Sequence, residues 1–207
     1  MAPELTSDLS TFHKAQHIKY WLRCLKTHLP TLYQSNDASR MTLAFFILSA
    51  LDLLDALHTH TSREERESYV QWIYHCQHPK GGFRGFTGAD LGPLQNEENE
   101  CWDPANLAAS YFALAALTIL GDNLEKVKVA ECMTWLRQVQ LEDGSFGEAK
   151  AKEGRIVGGT DVRFCYCAAA VRWILKHNGA STAGDAENDI DVGNLERFIL
   201  SLQVRLE

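Results

Sequence analysis

The 207-residue sequence predicts an all-α fold of helix-hairpin repeats set around a common centre, a partial α/α toroid built on the α6-α6 barrel plan. Three observations predict it. An aromatic residue and a glutamine recur together at Trp72 and Gln77, Trp135 and Gln140, and Phe198 and Gln203, each pair 63 residues after the last. The first two pairs run into matching turns, Gly81-Gly82-Phe83 and Gly144-Ser145-Phe146. Between them, strongly apolar segments alternate with amphipathic ones, as inner and outer helices of a ring must.

The first inner helix is expected to follow Ser39 and to carry Leu43-Ala-Phe-Phe-Ile-Leu-Ser-Ala-Leu-Asp-Leu-Leu. Ser62 to Glu65 reads as a capping box, so an outer helix with a charged side should start there and run toward Gln77. A turn then spans 77–86. The second inner helix is expected after Asp103, with Pro104 at its first position; Leu107 to Leu120 carries no charge on any face and must be surrounded by protein. Gly121 should end it. The second outer helix, ending Trp135 to Gln140, enters a second turn at 140–147. Thr160 is expected to open the third inner helix, Phe164 to Leu175, which Gly179 would end. The turn glycines themselves read as helix C-caps. A third outer helix, Asn194 to Gln203, stops where the repeat predicts another turn, and the chain ends Val-Arg-Leu-Glu207. The expectation is a single domain, residues 1–207, whose third repeat is cut at 203–207.

Composition narrows the function classes. A net charge of −7 argues against nucleic acid or an anionic membrane as partner, since both need clustered Lys and Arg. The start of the chain lacks a basic region followed by an apolar one, and the apolar run Leu43 to Leu51 is too short for a bilayer, so a cytoplasmic protein without a transmembrane segment is expected. Six cysteines show no C-x-x-C spacing and read as reduced core thiols. His13 with His17, and His58 with His60 near Asp55, each lack a convincing third metal ligand. Asn96 to Glu100 reads as a solvated acidic loop.

The Gln-x-x-x-Gly-x-Phe repeat resembles that of terpene cyclases and of protein prenyltransferase β subunits. The segments "SRMTLAFFILSALDLLDAL", "QLEDGSFGE" and "GGTDVRFCYCAAAVRWIL" look like the prenyltransferase β subunits, from about His13 onward. Against a cyclase, Asp-x-Asp-Asp is missing; Asp189-Ile-Asp191-Val is the nearest approach and reads as part of a polar linker. Farnesyl-transferring members of the family place Trp where Thr42 stands, whereas type I geranylgeranyl-transferring members have the small Thr. Room for one more isoprene unit is worth roughly 2–4 kcal/mol of apolar burial.

The resemblance therefore implies transfer of a geranylgeranyl group from geranylgeranyl diphosphate to the cysteine of a Leu-ending CaaX motif on Rho-type small GTPases. It implies a heterodimer with a prenyltransferase α subunit, and a zinc ion whose Asp, Cys and His ligands lie in later repeats with no match in this chain. Thr42, Phe46, Tyr111 and Tyr166 are carried over as lipid-lining. Arg163 is carried over as contacting the isoprenoid or, through water, the peptide carboxylate, with pairing to Asp161 as the plain alternative. No catalytic residue is expected within the chain, and turnover by it alone is not expected. The other readings are a non-catalytic module that binds the α subunit, a farnesyltransferase or Rab-type β subunit, and, less favoured, a cyclase-like enzyme.

Overall fold

A computed structural model describes residues 12–177 and 189–203. Its helices are α1 (Lys14–Lys26), α2 (Arg40–Leu53), α3 (Leu57–His60), α4 (Arg63–His75), α5 (Leu107–Ile119), α6 (Val129–Gln138), α7 (Val162–His177) and α8 (Val192–Ser201). A two-stranded antiparallel ribbon, β1 (Ala149–Lys150) with β2 (Ile156–Val157), interrupts the helical pattern. The inner helices α2, α5 and α7 pack side by side in chain order, with α4 against α5 and α6 against α7. Helix α1, which the repeat spacing does not reveal, packs on α2.

The core lies between the two layers. Leu107, Ala113, Leu114, Ala116 and Leu117 of α5 are fully enclosed, as its chargeless sequence requires, and Leu136 of α6 and Leu175 of α7 join them. All six cysteines are free thiols. Burial pushes the Cys132 and Cys167 thiols up to about 11, so both stay protonated and behave as packing groups.

The period seen in sequence reappears as hydrogen bonds. His78 N–H donates to Gly82 O at 2.9 Å, and Leu141 N–H to Ser145 O at 2.8 Å. Arg84 N–H donates to Cys76 O at 2.8 Å, and Gly147 N–H to Val139 O at 3.0 Å. Phe83 and Phe146 are completely buried against their turns. The repeat glutamines clamp the chain entering the next outer helix. Gln77 Oε1 accepts Lys128 N–H at 2.7 Å, and Gln140 Oε1 accepts Asp191 N–H at 2.7 Å. Each clamp satisfies a backbone donor at a helix start, where no intrahelical partner exists.

Several sequence expectations are corrected. Gly81 and Gly144 are not helix C-caps: α4 and α6 end at Cys76 and Val139, five residues earlier. Both glycines have positive φ, and a Cβ there would lie closer than 3 Å to the backbone of Glu131 or Asn194 in the first turn of the next outer helix. They are needed because two backbones meet. Gly121 does terminate α5 as expected, its N–H donating to Thr118 O and that of Asp122 to Leu117 O in a Schellman arrangement. Gly179 lies outside the described residues, as do residues 204–207 of the stretch 203–207 where the third repeat is expected to be cut.

Helix starts also differ. Asn106, not Asp103 with Pro104, caps α5, its side chain accepting Ala109 N–H at 2.9 Å. Asp103 is instead buried against Arg84. Asp161, not Thr160, accepts Arg163 N–H at the start of α7. Ser39 precedes α2 but makes no capping bond, because a 3-10 segment, Thr31–Ser39, leads straight into the helix. The Ser62 capping box on α4 is present in full. The third outer helix starts at Val192, capped by Asp191, earlier than expected. Asp189 and Asp191 are therefore structural anchors, not linker residues: Asp189 takes Arg172 Nε and Nη2 at 2.7 Å each and Lys176 Nζ at 2.5 Å.

Candidate functional site

Aromatic side chains from the three inner helices converge. The Phe45 ring of α2 lies 5.9 Å from that of Tyr111 on α5, and Tyr111 lies 5.3 Å edge-on from Tyr166 on α7. The two tyrosine hydroxyls are 2.9 Å apart and hydrogen-bonded. Phe46 and Phe112 complete the cluster with centroids 5.7 Å apart. Helical spacing explains the convergence, since Thr42 and Phe46 are four residues apart, as are Ala108 and Phe112, and such pairs share a face.

The cluster is an open apolar bowl. Phe46 and Tyr166 remain 51% and 61% exposed, an unusual state for large rings unless something covers them. Burial first, then the bond to Tyr166, raises the Tyr111 phenol above its usual value. The Tyr111 phenol therefore stays neutral, and the hydroxyl pair adds polarity only at one point of the cluster. One turn toward the N-terminal ends of α2 and α5, a cleft opens that is lined by Thr42, Ala108, Ala109, Phe86 and Trp102 together with the polar Ser39, Asn106 and Glu148. Thr42 thus lines a cleft one helical turn from Phe46.

Of the residues expected in the site, Phe46, Tyr111 and Tyr166 lie in the ring cluster, while Thr42 lines the neighbouring cleft. Arg163 is not drawn inward. Its side chain is 85% exposed and makes a two-pronged pair with Asp161, Nε to Oδ1 and Nη2 to Oδ2 both at 3.0 Å. It lies three residues before Tyr166, hence at the rim on the same side of α7. The ion pair was readable from the adjacent Asp161-Val-Arg163; its exposure was not. Sequence reading missed Phe86, Trp102 and Phe112 as neighbours of the site. Phe112, directly after Tyr111 on a chargeless helix, carried the one usable signal.

Beside the hollow, Arg84 and Asp103 form a buried ion pair, with side chains 2% and 1% exposed. Arg84 Nη2 donates to Asp103 Oδ2 at 2.9 Å and Nη1 to Gln77 O at 2.9 Å, while Gln95 Nε2 also reaches Asp103 Oδ2 at 3.0 Å. Every strong donor and acceptor there has a partner, so the network ties the first turn to the loop before α5. Glu100, in the loop expected to be merely solvated, pairs with Lys80 at 2.6 Å. Among the described residues no group of three His, Cys, Asp or Glu side chains is gathered where a metal could be held. The donor set does not fit a zinc ion.

Stacked inner helices with aromatic rings turned to a shared hollow, braced outside by a repeated glutamine-clamped turn, define a helical toroid domain with an apolar site. Residues 12–205 match the prenyltransferase alpha-alpha toroid domain, and the chain belongs to that family. It is 30% identical to the geranylgeranyl transferase type-1 subunit beta of Arabidopsis thaliana, over 97% of this chain and 51% of that protein. The Dictyostelium discoideum subunit of the same name is 29% identical, over 80% of this chain and 50% of its own length. Candida albicans protein geranylgeranyltransferase-I, solved in complex with GGPP, superposes with a TM-score of 0.74 at 25% identity, over 91% of this chain and 50% of that one. The chain spans about half the length of these curated relatives. Among the described residues no helix is long and apolar enough to cross a membrane.

Proposed function

We propose that this chain is part of the β subunit of a type I protein geranylgeranyltransferase, and that it supplies the wall and floor of the pocket for the isoprenoid of geranylgeranyl diphosphate. The observation that carries the reading is the partly exposed aromatic cluster of α2, α5 and α7, with the small Thr42 one helical turn from Phe46 on α2. The similarity to geranylgeranyl transferase type-1 β subunits supports it.

In this reading Phe45, Phe46, Tyr111, Phe112 and Tyr166 bury the isoprenoid and exclude water from it. Thr42 leaves depth for a fourth isoprene unit. Arg163 sits at the rim, where release from Asp161 would let its guanidinium meet an anionic group of either substrate. The acceptor is the cysteine of a Leu-ending CaaX motif on Rho-type small GTPases, and the enzyme is a cytoplasmic heterodimer with a prenyltransferase α subunit. Zinc would lower the pKa of the acceptor thiol in the whole enzyme. The described residues gather no ligand set for it.

Equilibrium binding of geranylgeranyl and farnesyl diphosphates to the chain, alone and with an α subunit, tests the proposal. The native chain should prefer the geranylgeranyl compound. Thr42→Trp should reverse the preference by about thirtyfold or more, the equivalent of roughly 2 kcal/mol of lost apolar burial. An unchanged ratio of the two affinities would refute the lipid assignment.

A further inference from the structure

The first repeat turn carries a side chain that its backbone does not require. His78 N–H donates to Gly82 O at 2.9 Å, and Gly81 N–H donates to His78 O at 3.1 Å. In the second turn Leu141 does the same work, its N–H donating to Ser145 O at 2.8 Å and its carbonyl accepting Gly144 N–H at 3.0 Å. A leucine therefore suffices for the turn, yet the equivalent position in the first repeat is a histidine only 6% exposed. Taking an imidazole out of water is costly unless its polar atoms find partners.

That ring is only half satisfied. Its Nδ1 accepts Lys80 N–H at 3.1 Å. Burial, and after it the Arg84 cation, holds His78 below the usual imidazole value, so the ring is neutral; accepting at Nδ1, it carries its hydrogen on Nε2. Among the described residues that Nε2–H has no hydrogen-bond partner. Trp135 of α6 repeats the pattern. It is 5% exposed, a Cβ on Gly82 would touch its Cε3, and its Nε1–H has no partner among the described residues. Neither N–H is sealed into the core, since Ser49 Oγ is the one enclosed polar side-chain atom left without a partner there.

Both rings line a cavity of about 170 Å³, many times the roughly 10–15 Å³ that admits one water. It lies between the first turn, the loop 95–104, the end of α6 and the ribbon. Its two carboxylates are already matched: Asp103 takes Arg84 and Gln95, and Glu100 takes Lys80 at 2.6 Å. Lys150 differs. Among the described residues its Nζ bonds only the neutral Gln138 Oε1, at 2.8 Å, which leaves two of its three N–H groups to give. The enclosed groups without partners are thus donors, and the cation beside them has no counter-charge bonded to it.

From this arrangement we infer a binding site for the carboxylate of a small organic acid, its oxygens accepting from His78 Nε2–H, Trp135 Nε1–H and the Lys150 ammonium. Glu100 and Asp103 in the wall repel a second negative charge, which selects a monoanion over phosphate. The enclosure of both rings suits a free small acid better than an acidic side chain carried by a folded partner. No lining residue belongs to the aromatic cluster, so the site is separate from the isoprenoid face and stands or falls without it.

The test is a titration of the 207-residue chain with sodium acetate at constant ionic strength, followed by proton–nitrogen NMR. The Trp135 indole signal, assigned by its loss in Trp135→Phe, and the His78 Nε2 signal, assigned by its loss in His78→Phe, should move together with one Kd of about 1–10 mM. The indoles of Trp21, Trp72, Trp102 and Trp173 should stay in place. Lys150→Met should weaken acetate by about tenfold, and Lys150→Arg should restore most of the loss. Acetamide, which has the shape without the charge, and inorganic phosphate should each bind about tenfold more weakly than acetate or worse. Signals that stay still up to about 100 mM acetate, an equal response to acetamide or phosphate, or an unchanged Kd in Lys150→Met would each overturn the inference. So would tighter binding of a terminally blocked peptide with a single glutamate, which would hand the cavity to an acidic side chain. The acetamide and Lys150 comparisons leave the turn intact, so the test holds even where His78→Phe does not fold.

Discussion

Replacing Gly144 with alanine tests whether the repeated turn is a device for seating one outer helix on the previous hairpin. Gly144 has φ +91°, and an added Cβ would lie closer than 3 Å to the carbonyl of Asn194 and to Leu195 N, all backbone atoms in the first turn of α8. Two costs add. Holding an L-residue in the left-handed region costs about 1–2 kcal/mol, and forcing the turn and α8 apart about 1–3 kcal/mol more. Gly121 provides the control. It has φ +76° with nothing within 4 Å of the would-be Cβ, so Gly121→Ala should cost only the first contribution, about 1–2 kcal/mol. Urea unfolding of the two variants, compared at unchanged m, should show Gly144→Ala less stable than Gly121→Ala by about 1–3 kcal/mol. Gly81→Ala should follow Gly144→Ala, since it meets Glu131 in the same manner. Equal losses at 121 and 144 would mean that the turn does not bear on the next helix, and the stacking argument would fail.

Two further outcomes follow from the buried charges. Asp103→Ala should destabilise the chain by about 3–5 kcal/mol, because it strands the Arg84 guanidinium, while replacing Arg84 and Asp103 together with apolar residues should recover much of the loss; urea titration of the single and double variants decides this. Burial alone would raise the Asp189 carboxyl, but the hydrogen bonds from Arg172 and Lys176 outweigh it and hold it down at about 2. A depressed carboxyl stabilises fully above its unfolded value of about 3.9 and loses that contribution as pH falls toward 2. Native stability should therefore drop by about 1–2 kcal/mol across that window, the half-exposed cations limiting the size, and Asp189→Asn should flatten this part of the profile; an identical profile would show that the ion pairs contribute nothing.

Much of the architecture was legible in the primary structure because it is periodic. The 63-residue recurrence of Trp72, Trp135 and Phe198 announced stacked hairpins, and the chargeless face of Leu107 to Ile119 announced a helix enclosed by others. Thr42 and Phe46 could be placed on one face by counting alone. Cap positions were harder to read: Asp103, Asn106, Thr160 and Asp161 are all competent N-cap residues within a few positions of a helix start. The choice at α5 depends on Arg84, which lies 19 residues from Asp103 in sequence and claims that carboxylate for a buried pair.

By itself, then, the amino-acid order determined the repeated helical segments, which of them lie inside, and where the chain turns between them. Tertiary structure decided which side chains meet: Tyr111 with Tyr166, Gln77 with the backbone of Lys128, and Asp189 with Arg172. The physical reason is range. Helical character and turn chemistry are set by neighbours within a few residues, whereas these contacts close loops of 17 to 55 residues and exist only once the helices have packed.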